Sequence, residues 1–197
     1  MAKELMIATK NKGKVREIKH ILRPLGIKIQ SLLDLPNMPD IKENGRTLRE
    51  NAVIKAKAIS ALSQTLVLAD DSGLEVKALK GRPGIKSARY AGPNPTTKIL
   101  CTKLLREMKD KKDRRARFVC VIAISGPKKV STVMGVCSGK IAFQMKGRRG
   151  FGYDPIFIPQ GYSKTFAQMS LKEKDGISHR GRALEKAKAR LDRIFSS

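Results

Sequence analysis

Two adjacent carboxylates follow an apolar segment near the middle of the chain. Residues 66–69 are apolar, and Asp70, Asp71, Ser72 and Gly73 come directly after them. This pattern predicts a buried strand that stops at the carboxylates, with Gly73 where the backbone turns. Because adjacent residues of a strand point to opposite faces, we expect one carboxylate to face a cleft and the other the interior. Such a carboxylate suits a hard metal ion or general-base catalysis, and an ordinary Asp-rich turn is the alternative.

A second candidate site lies near the N-terminus, where a short strand leads into a helix. Residues 5–8 predict the strand, and the apolar spacing of residues 15–22 predicts a helix that ends before Pro24 or at Gly26. The turn at residues 9–14 contains three lysines and opens the helix. Free amides and the positive end of a helix favour phosphate, so this turn predicts an anion site. It lacks the glycine spacing of a Walker A loop.

The remaining pattern predicts alternating strands and helices that would position these two sites. Thr47 and Glu50 form a capping box for a helix. Glu50 either caps this helix or faces the same cleft as Asp71. The other predicted elements are strands at 27–31 and 74–78, a loop at 87–92, a helix at 96–108, a hairpin of 116–125 with 129–141, and a C-terminal helix from 177 to about 195.

Length and composition predict a single domain, residues 1–197, in a reducing compartment. The 3 cysteines are widely spaced and indicate reduced thiols, so we expect a cytoplasmic protein. No apolar segment approaches the length of a membrane span. The chain has 42 Lys+Arg against 17 Asp+Glu, a net charge of +25, which favours polyanions. A generally basic surface and weak, salt-sensitive nucleic-acid binding both remain open, because the sequence contains no recognised nucleic-acid-binding motif.

Six segments together resemble the inosine triphosphatase family of nucleoside-triphosphate pyrophosphatases. They occur in the family's order across nearly the whole chain: residues 9–14, 50–52, 69–74, 84–90, 150–155 and 177–181. The resemblance implies an α/β fold with a long, twisted mixed β-sheet flanked by helices, and two lobes with a central cleft. It also implies a homodimer.

The resemblance implies hydrolysis of the deaminated purine nucleotides dITP, ITP and XTP to a monophosphate and pyrophosphate, with Mg²⁺ as the cofactor. Asp71 matches the catalytic carboxylate and a metal ligand. Glu43 aligns with a second metal position, for which Glu50 and Asp70 are the alternatives. Phe151 offers a ring for base stacking. The implied substrate contacts are Thr9, Lys10, Asn11, Lys12, Gly13, Lys14, Ser72, Phe151, Gly152, Tyr153, Asp154, Lys174, His179 and Arg180.

Base selection follows from the same resemblance. Hypoxanthine and xanthine carry a carbonyl at C6, which donors from His179 and Arg180 would satisfy, whereas adenine would leave them unpaired. Two other functions stay open. One is a nucleic-acid-binding protein on the same scaffold, which the net charge suggests, although catalysis itself requires no nucleic acid. The other is a pyrophosphatase for other modified nucleotides, such as a pyrimidine-selective Maf-like enzyme, and the Phe151 segment speaks against it.

Overall fold

The computed structural model describes residues 3–126 and 129–196 of the chain. Its strands are β1 (Glu4–Ile7), β2 (Lys28–Ser31), β3 (Val67–Val76), β4 (Arg115–Ser125), β5 (Val130–Ile141) and β6 (Phe157–Pro159). Its α-helices are α1 (Lys12–Leu22), α2 (Leu48–Ser63), α3 (Thr97–Glu107), α4 (Leu171–Ile177) and α5 (His179–Ser196). Across the described ranges, no helix has the length and apolar character needed to cross a membrane.

The six strands form one mixed sheet in the order β2-β1-β3-β4-β5-β6. β1 pairs in parallel with β2 and β3, and β5 pairs antiparallel with β6. The predicted hairpin is present as β4 and β5, although Pro127 of its turn lies outside the described residues. The predicted fold class, a mixed α/β sheet flanked by helices, is therefore confirmed. The predicted cleft between two lobes stays a prediction.

The chain divides into two compact units. The first contains Met1–Asp71, Cys120–Gly135 and Arg180–Ser197, and the second contains Ser72–Val119 and Val136–His179. Each unit has its own buried apolar cluster. That of the first includes Leu5, Ile18, Leu68, Ile122 and Leu184, and that of the second includes Leu74, Leu104, Phe118, Phe157 and Phe166. Because β3, β4 and β5 contain residues of both units, cooperative folding of residues 1–197 as a single domain stays a prediction.

Local signals in the sequence placed the helix ends well. Asn11 caps α1, and the chain leaves this helix through a short 3₁₀ turn that ends at Gly26 in the left-handed conformation. Thr47 caps α2 by accepting a hydrogen bond from the Glu50 amide. The Glu50 carboxylate accepts from the Arg46 amide at 2.7 Å, one residue before the N-cap, instead of from the Thr47 amide that the predicted capping box requires.

The expected end of the central strand at the carboxylates is wrong. β3 continues through Asp70, Asp71 and Gly73 to Val76, so the strand predicted at 74–78 is its final part. Gly73 serves a close approach, because a Cβ there would lie 2.4 Å from the Gly84 carbonyl oxygen. The segment that begins at Gly84 forms a 3₁₀ helix, Gly84–Arg89. Its later part, from residue 87, was predicted as a loop. Strand β6 and helix α4 were not predicted.

Candidate active site

In the N-terminal turn of the first unit, residues 9–14, two backbone amides already donate hydrogen bonds to side chains of the same turn. The Asn11 amide donates to Thr9 Oγ1 at 3.2 Å, and the Lys14 amide donates to Asn11 Oδ1 at 3.1 Å. The amides of Lys12 and Gly13 begin α1 and have no acceptor within the helix. Lys10 forms an exposed ion pair with Asp40 at 2.8 Å. An anion at this turn would therefore meet two helix amides and the exposed Lys12 side chain.

Asp70 is the interior member of the carboxylate pair. Its side chain is fully buried, with Oδ1 3.1 Å from Lys14 Nζ and Oδ2 3.2 Å from Arg180 Nε. Burial alone would raise the pKa of Asp70, but the charges of Lys14 and Arg180 hold it well below its ordinary value. Asp70 is thus a permanent anion whose charge is already matched by two cations. A structural role fits it better than that of a metal ligand.

Arg180 lies in a buried ion network. Arg180 Nη1 donates to Glu17 Oε2 at 2.5 Å, and both side chains are almost completely inaccessible. Burial opposes the charge on Arg180, but Glu17 and Asp70 raise its pKa above the ordinary value. The sequence interpretation missed Glu17. Its position four residues before Ile21, within the buried stripe of α1, was the available signal.

Asp71 occupies a different environment from Asp70. It is nearly buried, and burial is the main cause of a raised pKa, to which Glu43 and Asp70 add while Lys14 and Lys55 oppose it. Lys55 Nζ contacts Glu43 Oε1 at 2.7 Å. The two adjacent carboxylates therefore differ as expected for alternate positions of a strand, with Asp70 saturated by cations and Asp71 disfavoured as an ion.

The donor set around Asp71 fits Mg²⁺ when substrate and water supply further ligands. A cation would relieve the unfavourable charge on Asp71, and Mg²⁺ commonly takes only one or two protein carboxylates. Glu43 Oε1 is held by Lys55 at 2.7 Å, so Glu43 would offer a metal its second oxygen or exchange this partner. Among the residues that the structure describes, no cluster of three His, Cys, Asp or Glu side chains is arranged to hold a metal.

A cavity of about 230 Å³ lies beside these groups in the first unit. Its lining brings together the N-terminal turn and the acidic loop, through Thr9, Lys10, Asp40, Glu43 and Lys55. A lysine-lined, partly acidic cavity at the start of a helix is suited to a phosphate accompanied by a divalent cation.

The second unit contains the predicted base-recognition residues. Asp154 is buried, and its Oδ2 accepts from the Phe151 amide at 2.8 Å and from Lys174 Nζ at 2.5 Å. Lys174 Nζ lies 5.0 Å from the centroid of the Phe151 ring. The Gly150 backbone approaches Asp154 so closely that a Cβ there would lie 2.0 Å from Oδ2. Asp154 thus fixes both the half-exposed Phe151 segment and the ammonium group beneath it.

Tyr153 and His179 have buried rings. The Tyr153 hydroxyl donates to the Ser87 carbonyl at 2.9 Å, and the ring belongs to the core of the second unit. His179 stacks on Phe118 with ring centroids 4.5 Å apart. The Gly152 amide donates to Thr97 Oγ1 at 3.1 Å, and Ser72 is half-buried on β3. Phe151 is therefore the ring that this segment presents to a ligand.

Comparison with known proteins places the whole chain in one family. The profile described as the Ham1 family matches residues 5–190. The chain belongs to the Ham1 family. It is similar to the dITP/XTP pyrophosphatase of Bacillus licheniformis, with 49% identity over 193 residues, covering 96% of this chain and 98% of that protein. The dITP/XTP pyrophosphatase of Oceanobacillus iheyensis is 47% identical over 196 residues, covering 98% and 100%.

Solved structures agree with the Ham1 assignment. The Ham1 protein of Staphylococcus aureus matches with a TM-score of 0.86 at 43% identity, covering 96% of this chain and 98% of that one. The HAM1 protein of Coxiella burnetii also matches with a TM-score of 0.86, at 40% identity, covering 97% of this chain and 98% of that one. The family resemblance predicted from the sequence motifs is confirmed.

The structure of this Ham1 chain gathers the predicted site residues into two groups. The first unit holds Asp71 and Glu43 near the N-terminal turn, together with Arg180. The second unit holds Ser72, the Phe151–Asp154 segment, Lys174 and His179. Lys55 on α2 also belongs to the first group, because its ammonium group contacts the Glu43 carboxylate. The assigned roles of these residues stay predictions.

Proposed function

We propose that this chain hydrolyses deaminated purine nucleoside triphosphates, namely dITP, ITP and XTP, to the monophosphate and pyrophosphate. Removal of these nucleotides would keep them out of DNA and RNA. The near-full-length similarity to dITP/XTP pyrophosphatases supports this function. The structural observation that carries it is the position of Asp71, a nearly buried carboxylate grouped with Glu43, Lys14 and Lys55 in the unit that presents the α1 N-terminus.

The first unit is assigned the phosphate chemistry. The α1 amides and the Lys12 ammonium would hold the β- and γ-phosphates and offset the charge that develops on the leaving pyrophosphate. Asp71 would take a proton from the attacking water as general base. The water oxygen forms a bond to the α-phosphorus as the bond to the α–β bridging oxygen breaks, and that oxygen leaves with pyrophosphate.

Mg²⁺ is the proposed cofactor, held by Asp71 with Glu43 as the second candidate ligand. When bound it would neutralise phosphate charge and polarise the reacting phosphoryl group. Lys55 would then act as the exchangeable partner of Glu43, since it already occupies that carboxylate at 2.7 Å. Glu50 is the weaker candidate because its carboxylate already accepts a hydrogen bond from the Arg46 amide.

The second unit is assigned the recognition of the base. Phe151 would stack on the purine, while Asp154 and Lys174 hold its segment in place. His179 would supply a donor to the C6 carbonyl. The matching role of Arg180 stays a prediction from the family resemblance, because Arg180 donates to Glu17 and Asp70 in the buried network of the first unit. A buried donor left unpaired by adenine would slow the hydrolysis of ATP by several powers of ten. We also propose that the enzyme acts in the cytoplasm as a homodimer.

The test is release of pyrophosphate from a panel of ITP, dITP, XTP, ATP, GTP, CTP and UTP, with and without Mg²⁺. We expect rapid hydrolysis of the first three substrates and slow hydrolysis of the others. Rapid hydrolysis of all seven would refute the base assignment while leaving the phosphate chemistry intact. Absence of pyrophosphate release from every substrate would refute the proposed function. Turnover without any divalent cation would refute the cofactor.

A further inference from the structure

A broad groove of about 740 Å³ lies on the second unit, and its lining includes none of the residues assigned to catalysis. Its lining comes from the end of β3, the start of β4, the end of β5 and β6, which are consecutive neighbours in the sheet. We call it the basic groove. Its basic side chains are Lys77, Arg115, Arg117 and Lys140, and its lining also includes the ring of Tyr162.

The basic groove carries an excess of positive charge. Arg115 pairs with Asp113 at 2.7 Å and Arg117 pairs with Glu75 at 2.7 Å, so each arginine has an acidic neighbour. Lys77 and Lys140 are exposed, and the charge of Lys77 also helps to lower the pKa of the nearby Asp113 carboxyl. Both ammonium groups are accessible to an anionic ligand.

The spacing of the charges is compatible with an extended ligand. Lys77 follows β3 and Lys140 lies on β5, with β4 between the two strands. Strands lie about 4.8 Å apart, which separates these two positions by about 10 Å across the sheet. Successive phosphates along a polynucleotide backbone can contact both lysines.

Tyr162 adds a surface for a base. Its side chain is 49% exposed, and its amide donates to the Pro159 carbonyl at 3.1 Å, which fixes the turn after β6. Proteins that bind single strands combine a positively charged groove with aromatic rings on which bases stack. Gly161, which precedes Tyr162 in the lining, has open space where a Cβ would lie.

We propose that the basic groove binds single-stranded nucleic acid, with phosphates on Lys77, Lys140 and the two arginines and a base on Tyr162. This binding is independent of the proposed hydrolysis. It assigns part of the +25 net charge to a surface where the charge has a use. Sequence readout is not expected, because lysine contacts to phosphate carry no base information.

The test measures anisotropy of a fluorescein-labelled oligo(dT) of about 12 nucleotides on the full chain, from about 50 to 200 mM salt. The variants are Lys77→Glu/Lys140→Glu and Tyr162→Ala. The control is Lys57→Glu/Lys98→Glu, which changes the net charge equally at two exposed lysines outside the groove. Loss of two phosphate contacts should lower the slope of log K against log salt by about 1.4 units. Tyr162→Ala should weaken binding about five- to hundredfold, and Tyr162→Phe should restore it.

Three results would overturn the proposal. The first is absence of binding by the wild-type chain at about 50 mM salt. The second is an equal loss in the groove and control pairs, which would assign binding to total charge alone. The third is a changed oligomeric state of the groove variants, measured by light scattering, with unchanged oligonucleotide binding. That result would identify the face as an interface between copies of the chain. Pyrophosphate release should be unchanged in all variants, which shows that they are folded.

Discussion

Removal of the Glu17 carboxylate should destabilise the protein far more than its place on a surface helix suggests. Glu17 is 1% exposed and Arg180 is 2% exposed, so Glu17→Ala leaves a buried guanidinium that loses one of its two carboxylate partners. Breaking a buried ion pair by removing one partner costs about 3–5 kcal/mol. For a chain of this size each kcal/mol lowers Tm by about 2–4 °C, so we expect Tm to fall by about 6–20 °C.

A matched control lies on the same helix. Lys19 is exposed and lies 3.8 Å from the Asp34 carboxylate. An exposed pair of this kind contributes at most about 1 kcal/mol, so Lys19→Ala should shift Tm by only a few degrees. Both variants remove one charged partner from α1, and they differ in the burial of the group that is left. The comparison therefore isolates the effect of desolvation.

The assay is urea unfolding followed by far-ultraviolet circular dichroism, with thermal unfolding as a second measure. A double-mutant cycle with Arg180→Met separates the pair from other effects. If the network is as the structure shows, Glu17→Ala should cost much less in the Arg180→Met background than in the wild type, because no buried cation is left unpaired. A free energy of unfolding within about 1 kcal/mol of wild type for Glu17→Ala would refute this reasoning.

Three further outcomes follow from particular contacts. Asp71→Asn should abolish pyrophosphate release. The Tm of this variant should equal or exceed that of the wild type, because burial raises the Asp71 pKa and so disfavours the charged form. Retention of a tenth of the activity would contradict the assigned role. Burial raises the pKa of Cys101 and Cys120 to about 12. Ellman's reagent at pH 8 should therefore react with neither thiol until the chain unfolds. Fast reaction of these thiols in the native protein would contradict their burial. Gly73→Ala should lower the free energy of unfolding in urea by about 1–3 kcal/mol, because its Cβ would lie 2.4 Å from the Gly84 oxygen. The control is Gly26→Asn, at a left-handed position where a Cβ meets open space.

Several features could be predicted because they depend on residues close together in the chain. The helical spacing and the Gly26 stop of α1 are local, and so is the Thr47 cap of α2. The alternation of adjacent strand residues correctly predicted different surroundings for Asp70 and Asp71. The motif segments, taken together in order, correctly predicted the family and the mixed sheet.

The course of β3 was decided by tertiary structure. Gly73 reads as a turn residue in isolation, but in the fold it admits the Gly84 carbonyl, and the Leu74 amide donates to Ser87 Oγ at 2.8 Å. Tyr153 is a second example, because its hydroxyl donates a hydrogen bond to the carbonyl of Ser87, 66 residues earlier in the chain. The local sequence pattern singles out such a glycine or tyrosine. Its structural role depends on which distant segment of the chain packs against it.

By itself, the sequence determined the family, the elements and the acidic residues that could do chemistry. Tertiary structure alone decided which charges are paired. Arg180 and Glu17 are 163 residues apart, yet they share a buried hydrogen bond, and the basic groove joins side chains from four segments of the chain. The physical reason is that the environment of a charged group depends on burial and on partners that only the folded chain brings within a few ångströms.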